Sequence, residues 1–394
     1  MSAARPRVLR RWLTTAAASS VLLVAAACGG GGASTATQTV KIGSVVPLTG
    51  AAAAVAGQYL AGTEAAINAA NDAGGVNGRT IELVKVDDGF DISRTITGIR
   101  QLATKDQVAA IIGPYGTNAA AAVRPVAEQL KVPLVGPLAY VKSFYDPVSA
   151  DTYALWPSHD TMFRAVTDYA LTRGGVSKLA VVATVGDVGD GAVAGATAAL
   201  GAKGLQPTVV VRVPNGAPDY SGAMNQAKGS GADGLVVLGD NPSMAKMLSD
   251  ARRVGLQVPF FGGVSAADSG FAKLAGTTAD GIIGVSTVDL SGKAAGWSDY
   301  IAAVAKYTKA DPGSSYVASG YAAAQTVIGA IAQVKGTVDA ASLTAALQQT
   351  KVDTIAGPVA FSKDSHLGRS DVYLTKIVNG QVTLTGDTVN TSTT

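Results

Sequence analysis

Few residues in this chain could do chemistry, and most of their arrangements exclude it. Ser158-His159-Asp160 carries the letters of a nucleophile, a base and an orienting acid. Three adjacent residues cannot form that line, because each side chain must reach the next from its own element. His159 is better explained by helix capping and first-turn packing. The other histidine, His366, follows the polar stretch Ser362-Lys363-Asp364-Ser365 and reads as a solvated turn. One Cys and two His are too few for a zinc constellation. There is no G-x-S-x-G elbow, no H-E-x-x-H pair and no Walker A loop. No enzyme assembles from these residues, and no metal or cofactor is expected.

Two loops between strand-like and helix-like segments remain. Gly189-Asp190-Gly191-Ala192-Val193-Ala194-Gly195 is spaced G-x-G-x-x-x-G, one residue longer than the dinucleotide fingerprint. It reads as a tight strand-to-helix turn at a cleft. Gly113-Pro114-Tyr115-Gly116-Thr117-Asn118 lies between an apolar run and a helical segment. A Thr117 hydroxyl beside the free N–H groups of a helix start makes a carboxylate receptor. A plain helix cap with no ligand is the alternative reading of the same residues.

The elements that must position these loops alternate along the chain. Strands are expected at 40–46, 81–86, 108–112, 133–135, 178–185, 207–213, 234–238, 259–261 and 281–288. Between them, helices are expected at 57–73, from a cap at Asp91 to 105, and at 118–131, 159–172, 191–203, 220–229 and 242–254. The strands are near-continuous apolar runs, the mark of a parallel sheet buried on both faces. Repeated strand–helix units with turn signals give an α/β fold. Open sheets of that kind bind ligands beyond the carboxyl ends of their strands. The later chain breaks the rhythm with helical segments at 294–309, 314–335 and 339–351. Strands at 359–361 and 371–383 follow, the second folded back at Asn379-Gly380. At 394 residues the chain exceeds one ordinary core, and two lobes follow.

The first residues belong to another category. Arg5, Arg7, Arg10 and Arg11 precede an apolar run from Ala16 to Ala27, broken only by Ser19 and Ser20. Those 12 residues, at about 1.5 Å of helical rise each, fall short of a roughly 30 Å hydrocarbon core. A signal peptide over residues 1–27 fits, and Arg10-Arg11 leaves both the general and the twin-arginine export routes open. The run ends in Ala25-Ala26-Ala27-Cys28, which resembles a bacterial lipoprotein box with Cys28 as the lipidated first residue. Residues 28–39, rich in Gly, Ser and Thr, are then a flexible tether. Removing the four arginines takes the net charge from +3 to −1, so the exported part has no footprint for nucleic acid.

Several segments in order resemble the branched-chain amino-acid type of periplasmic binding protein. These are Lys41-Ile42-Gly43-Ser44-Val45-Val46-Pro47-Leu48-Thr49-Gly50, Asn71-Asp72-Ala73-Gly74-Gly75-Val76-Asn77-Gly78, Val86-Asp87-Asp88 and Ile111-Ile112-Gly113-Pro114. In the later half they are Asp219-Tyr220-Ser221, Ala251-Arg252-Arg253-Val254-Gly255-Leu256 and Gly357-Pro358-Val359-Ala360-Phe361. The resemblance implies a two-lobed type I fold with parallel sheets flanked by helices and three crossovers. It places one lobe at 40–157 and 285–352, and the other at 158–284 and 353–388. It further implies a monomer that closes on a small polar solute and delivers it to the permease of an ABC importer; a ligand-sensing role for a membrane receptor is the alternative.

Carried over residue by residue, the resemblance puts the carboxylate-binding hydroxyl at Thr117, with backbone help from Leu138 and Ala139. The neighbouring Thr that holds the amine falls at Tyr140. The acid that pairs with the substrate ammonium falls near Val264, and the cleft tyrosines fall near Ala56, Val188 and Asn241. Burying an ammonium without a partner costs several kcal/mol. Either Asp187 or Asp240, beside Asn241, replaces the lost acid, or the ligand has no ammonium.

Overall fold

Short runs of branched apolar residues set the strands, and the glycine-punctuated stretches between them wind into helices. The computed structural model describes residues 38–50 and 52–393. The expected signal peptide, Cys28 and most of the tether lie outside the described residues. Gln38 and Thr39, expected in the tether, belong to the folded body: Gln38 exchanges two hydrogen bonds with the Val338 backbone at 2.9 and 3.0 Å.

The first layer contains β1 (Thr39–Val46), α1 (Ala53–Asp72), β2 (Thr80–Asp87), α2 (Ile92–Thr104), β3 (Ala110–Ile112), α3 (Thr117–Leu130), β4 (Leu134–Val135) and β5 (Thr152–Tyr153). Its five strands pair in the order β2-β1-β3-β4-β5, all parallel. Next come α4 (His159–Thr172), β6 (Leu179–Thr184), α5 (Asp187–Gly201), β7 (Val210–Val213), α6 (Ser221–Gly229), β8 (Gly234–Leu238), α7 (Asn241–Arg253), β9 (Phe260–Gly262), α8 (Ser269–Ala275) and β10 (Ile283–Ser286). The chain then runs through α9 (Trp297–Tyr307), α10 (Ser315–Gln333), α11 (Ala340–Leu347), β11 (Lys351–Thr354), β12 (Gly357–Ala360), β13 (Asp371–Val378) and β14 (Gln381–Asn390). The second sheet has the order β14-β13-β10-β9-β8-β6-β7, parallel except for β13, which pairs antiparallel with both β10 and β14.

Every residue of β6 and β8 is buried, as expected for strands covered by helices on both faces. The chain passes between the sheets three times: after β5, after β10 and before β13. After β10 it returns to the first layer, where α10 crosses α1 at near backbone contact. A Cβ on Gly62 would lie 1.9 Å from the Val317 carbonyl oxygen, and one on Gly320 would lie 1.8 Å from that of Tyr59. Only glycine at both positions lets the helices meet.

Several expected elements move. α5 starts at Asp187, four residues before the expected Gly191, because Gly186 with φ +99° makes the turn. Gly189, Gly191 and Gly195 therefore lie inside a helix and not in a strand-to-helix turn. A Cβ on Gly189 would stand 1.7 Å from the Thr184 carbonyl oxygen and one on Gly195 2.0 Å from that of Asp160, so these glycines serve close packing. The helix expected to run to 351 stops at Leu347, and β11 pairs with β12 through Val352 and Val359. The expected lobe limit between 352 and 353 falls inside that hairpin. The Asp268-capped α8 lies where no element was expected.

His366 is not in a solvated turn. Its ring is buried and stacks on Tyr153 at 4.3 Å, with Nδ1 2.9 Å from the Thr152 carbonyl oxygen. It ties the segment before β13 to β5.

Candidate functional site

At the carboxyl ends of both sheets, loops from the two layers enclose a cleft of about 390 Å³. Thr117, Leu138, Ala139, Tyr140, Asp187 and Asp240 all line it, and Asn241 does not. The Asn241 side chain is buried and donates to Asp268 Oδ1 at 2.7 Å, which turns it away from the cleft.

Thr117 opens α3 after Gly116, whose φ of +94° starts the helix. The first N–H groups of a helix have no intrahelical acceptor. The Thr117 hydroxyl makes no hydrogen bond within the protein among the described residues. Gly116 N–H donates to the Leu138 carbonyl at 3.0 Å, and Leu138 N–H donates to that of Pro114 at 3.0 Å. These two bonds lock the Thr117 loop to the loop carrying Leu138, Ala139 and Tyr140. His159 N–H then donates to the Tyr140 carbonyl at 2.9 Å, extending the wall to α4.

His159 is a wall residue that the sequence reading set aside. Its ring lies edge-on to Tyr140 with centroids 5.0 Å apart, and its buried Nδ1 has no hydrogen-bond partner among the described residues. Burial lowers its pKa to about 4, opposed by the nearby Asp160, so the ring is neutral at pH 7. Other residues missed include Phe90, Ile92, Tyr115, Asn215, Ser265 and Tyr316. Tyr115 lay inside the quoted loop motif. Tyr316 comes from the start of α10, some 200 residues further on, and no local signal marks it.

The wall is largely aromatic and apolar, with hydroxyls, Asn215, His159 and the carboxylates of Asp187 and Asp240 as polar groups. Burial foremost, with the Asp240 carboxylate second, pushes the Tyr115 phenol up to about 12. Burial also holds Tyr140 and Tyr316 above the usual phenol range, so all three remain donors. Tyr140 Oη makes no well-formed hydrogen bond, although Thr287 lies close enough to ease its ionisation. Tyr316 Oη lies 3.3 Å from Ser265 Oγ. Of the positions where the resemblance puts cleft tyrosines, Val188 lines the cleft, Ala56 is buried in the core and Asn241 is turned away; the rings of this cleft come from Tyr115, Tyr140 and Tyr316.

Among the described residues, no Lys or Arg lines the cleft, and Asp187 and Asp240 are its two carboxylates. Val264, where the resemblance puts an acid, is an apolar wall residue. Asp240 caps α7, accepting from Ser243 N–H at 2.8 Å and from Asn215 Nδ2 at 2.7 Å. Asp187, in the first turn of α5, accepts no hydrogen bond among the described residues. No group of three or more metal-ligating side chains occurs among the described residues.

Two α/β layers meeting at a ligand-sized cleft define a type I periplasmic binding protein fold. The chain belongs to the periplasmic binding protein family, which matches residues 39–381. It is 25% identical over 354 residues to the Leu/Ile/Val-binding protein homolog 3 of Brucella melitensis, covering 89% of this chain and 94% of that one. Among solved structures, it resembles the branched-chain amino acid transporter substrate binding protein of Streptococcus pneumoniae in complex with isoleucine. The TM-score is 0.78 at 22% identity, with 89% of this chain and 99% of that one covered. An ABC transporter solute binding protein from R. palustris in complex with 4-hydroxybenzoate gives a TM-score of 0.78 at 21% identity, covering 90% and 97%.

Proposed function

We propose that the protein is an extracytoplasmic solute-binding component of an ABC importer that captures a small carboxylate lacking an ammonium group. It binds without chemical conversion, by closing two lobes built around the two sheets. Exported and held at the outer face of the cell membrane by lipid on Cys28, it presents the ligand as a monomer to its permease.

One observation carries the ligand class: an unengaged Thr117 hydroxyl at a helix start faces a wall where the ammonium partner is replaced by Val264. The hydroxyl and the first-turn N–H groups of α3 suit an anion. The aromatic and aliphatic side chains that make up most of the remaining wall suit an apolar body. Of the two ligand kinds carried by the structural relatives, isoleucine and 4-hydroxybenzoate, the second is the better match to this chemistry.

A thermal-shift and calorimetric screen of leucine, isoleucine, benzoate and 4-hydroxybenzoate tests the reading. A ligand at 100 times its Kd stabilises by about 2.7 kcal/mol, a readable shift in melting temperature. The unaminated acids are expected to bind and the amino acids to bind weakly or not at all. Tight leucine binding would overturn it. For the anchor, Cys28→Ser is expected to release folded protein from the membrane fraction into the medium.

A further inference from the structure

Phe90 occupies a backbone position that local preference gives to glycine. Residues Asp88 to Asp91 form a turn closed by Asp91 N–H donating to the Asp88 carbonyl at 3.0 Å. Both central residues have positive φ, +57° at Gly89 and +64° at Phe90. Turns of that geometry favour Gly, Asn and Asp, and a bulky side chain there is sterically strained.

The surroundings over-determine the turn. Asp87 accepts from Gly89 N–H at 2.9 Å and from Leu48 N–H at 2.8 Å. Buried Asp88 accepts from Phe90 N–H through one oxygen and from the Thr95 hydroxyl through the other, both at 2.9 Å. Asp91 then caps α2 through Arg94 N–H at 2.9 Å.

What the strain holds in place is a ring, 57% exposed, on the wall of the cleft. It inclines against Tyr115, with centroids 5.7 Å apart and planes at 56°. Gly116 below it has no side chain, and a Cβ there would lie 3.1 Å from a ring carbon. Val185, 60% exposed, lines the same cleft from the other sheet. An exposed aromatic held against its own backbone preference adds little to folding; it gains a use when a ligand covers it.

We infer that Phe90 is an aromatic cover that selects flat carboxylates over puckered or branched ones of equal size. The inference rests on the carboxylate reading of Thr117. A planar body offers its face to the Phe90 and Tyr115 rings in the offset or edge-to-face geometries that aromatic pairs favour, and a saturated ring does not.

Calorimetry with benzoate and cyclohexanecarboxylate, on the full-length protein and on Phe90→Leu and Phe90→Gly, tests this. The unmodified protein is expected to prefer benzoate, and both variants to lose about three- to tenfold of that preference. The unliganded Phe90→Gly protein is expected to melt no lower than the unmodified one, because glycine accepts the positive φ without strain. An undiminished preference in both variants overturns the cover and leaves the Thr117 reading standing. Failure of the unmodified protein to bind either acid overturns both. A marked fall in the melting temperature of unliganded Phe90→Gly would assign the ring to folding and overturn the cover.

Discussion

Asn215 Nδ2 donates to Asp240 Oδ2 at 2.7 Å, while Ser243 N–H occupies the other carboxylate oxygen. One oxygen of Asp240 thus caps α7 and the other holds the Asn215 loop after β7, while Asp187 is the wall carboxylate without such bonds among the described residues. Asparagine caps a helix about as well as aspartate, and the Asn215 bond is exposed. Asp240→Asn is therefore expected to cost at most about 1 kcal/mol for the one acceptor lost and, by removing a wall charge, to raise benzoate affinity. Asp240→Ala is expected to cost about 1 kcal/mol in urea unfolding. Asp187→Asn removes a negative charge from a wall that receives an anion, so benzoate affinity is expected to rise about two- to fivefold at low salt. Unchanged or weaker benzoate binding by Asp187→Asn would show that the Asp187 charge does not oppose the bound anion.

The Thr117 hydroxyl has no bond inside the protein to lose, so its removal isolates the ligand contact. Thr117→Val keeps the shape, and the unliganded melting temperature is expected to hold within a degree or so. A hydrogen bond to a charged group contributes about 1.5–3 kcal/mol, so affinity for the carboxylate is expected to fall roughly ten- to a hundredfold. Unchanged affinity in calorimetry would remove Thr117 from the site.

The strand–helix alternation and the Thr117 loop were legible because their signals are local: apolar runs, a cap and glycines. Helix α4 matches its expected span, and Asp91 caps α2 as expected. What stayed hidden depended on distant chain. The spacing of Gly189, Gly191 and Gly195 mimics a loop motif, yet the contacts that demand glycine come from Thr184 and Asp160. His366 sits in polar sequence and is buried only because β5 and the segment before β13 meet there. Asn241 stands next to a true wall residue, but the first turn of α7 points it at Asp268. Phe90 breaks a local rule, and only its backbone dihedral reveals that.

His159 makes stability depend on pH in a definite direction. Burial favours the neutral ring in the folded chain and lowers its pKa from 6.5 to about 4. Between those values the unfolded chain binds the proton and the folded chain does not. The contribution is therefore full above pH 6.5 and lost as pH falls towards about 4. The loss over that window is on the order of 3 kcal/mol. His366, also lowered by burial, adds in the same direction. His159→Phe keeps an aromatic ring beside Tyr140 and has nothing to titrate, so its urea midpoint is expected to fall less steeply from pH 6.5 to 4. Parallel curves for the two proteins would show that His159 is not held neutral by the fold.

Asp268 joins three elements through one buried carboxylate. Its Oδ1 accepts from Asn241 Nδ2 at 2.7 Å and Gly270 N–H at 2.8 Å. Its Oδ2 accepts from Ser314 Oγ at 2.9 Å, Ser315 N–H at 3.1 Å and Ser315 Oγ at 3.1 Å. The side chain of α7, the cap of α8 and the start of α10 are therefore fixed together, and Tyr316 enters the cleft one residue beyond. Asp268→Asn keeps the shape but sets an amide N–H₂ against groups that need an acceptor. Leaving buried donors unsatisfied costs about 1–3 kcal/mol each, so the variant is expected to lose at least about 2 kcal/mol in urea unfolding. Carboxylate affinity is expected to fall as well, because Tyr316 loses its fixed backbone. Unfolding and binding curves that both overlay those of the unmodified protein would show that the carboxylate does not hold these elements together.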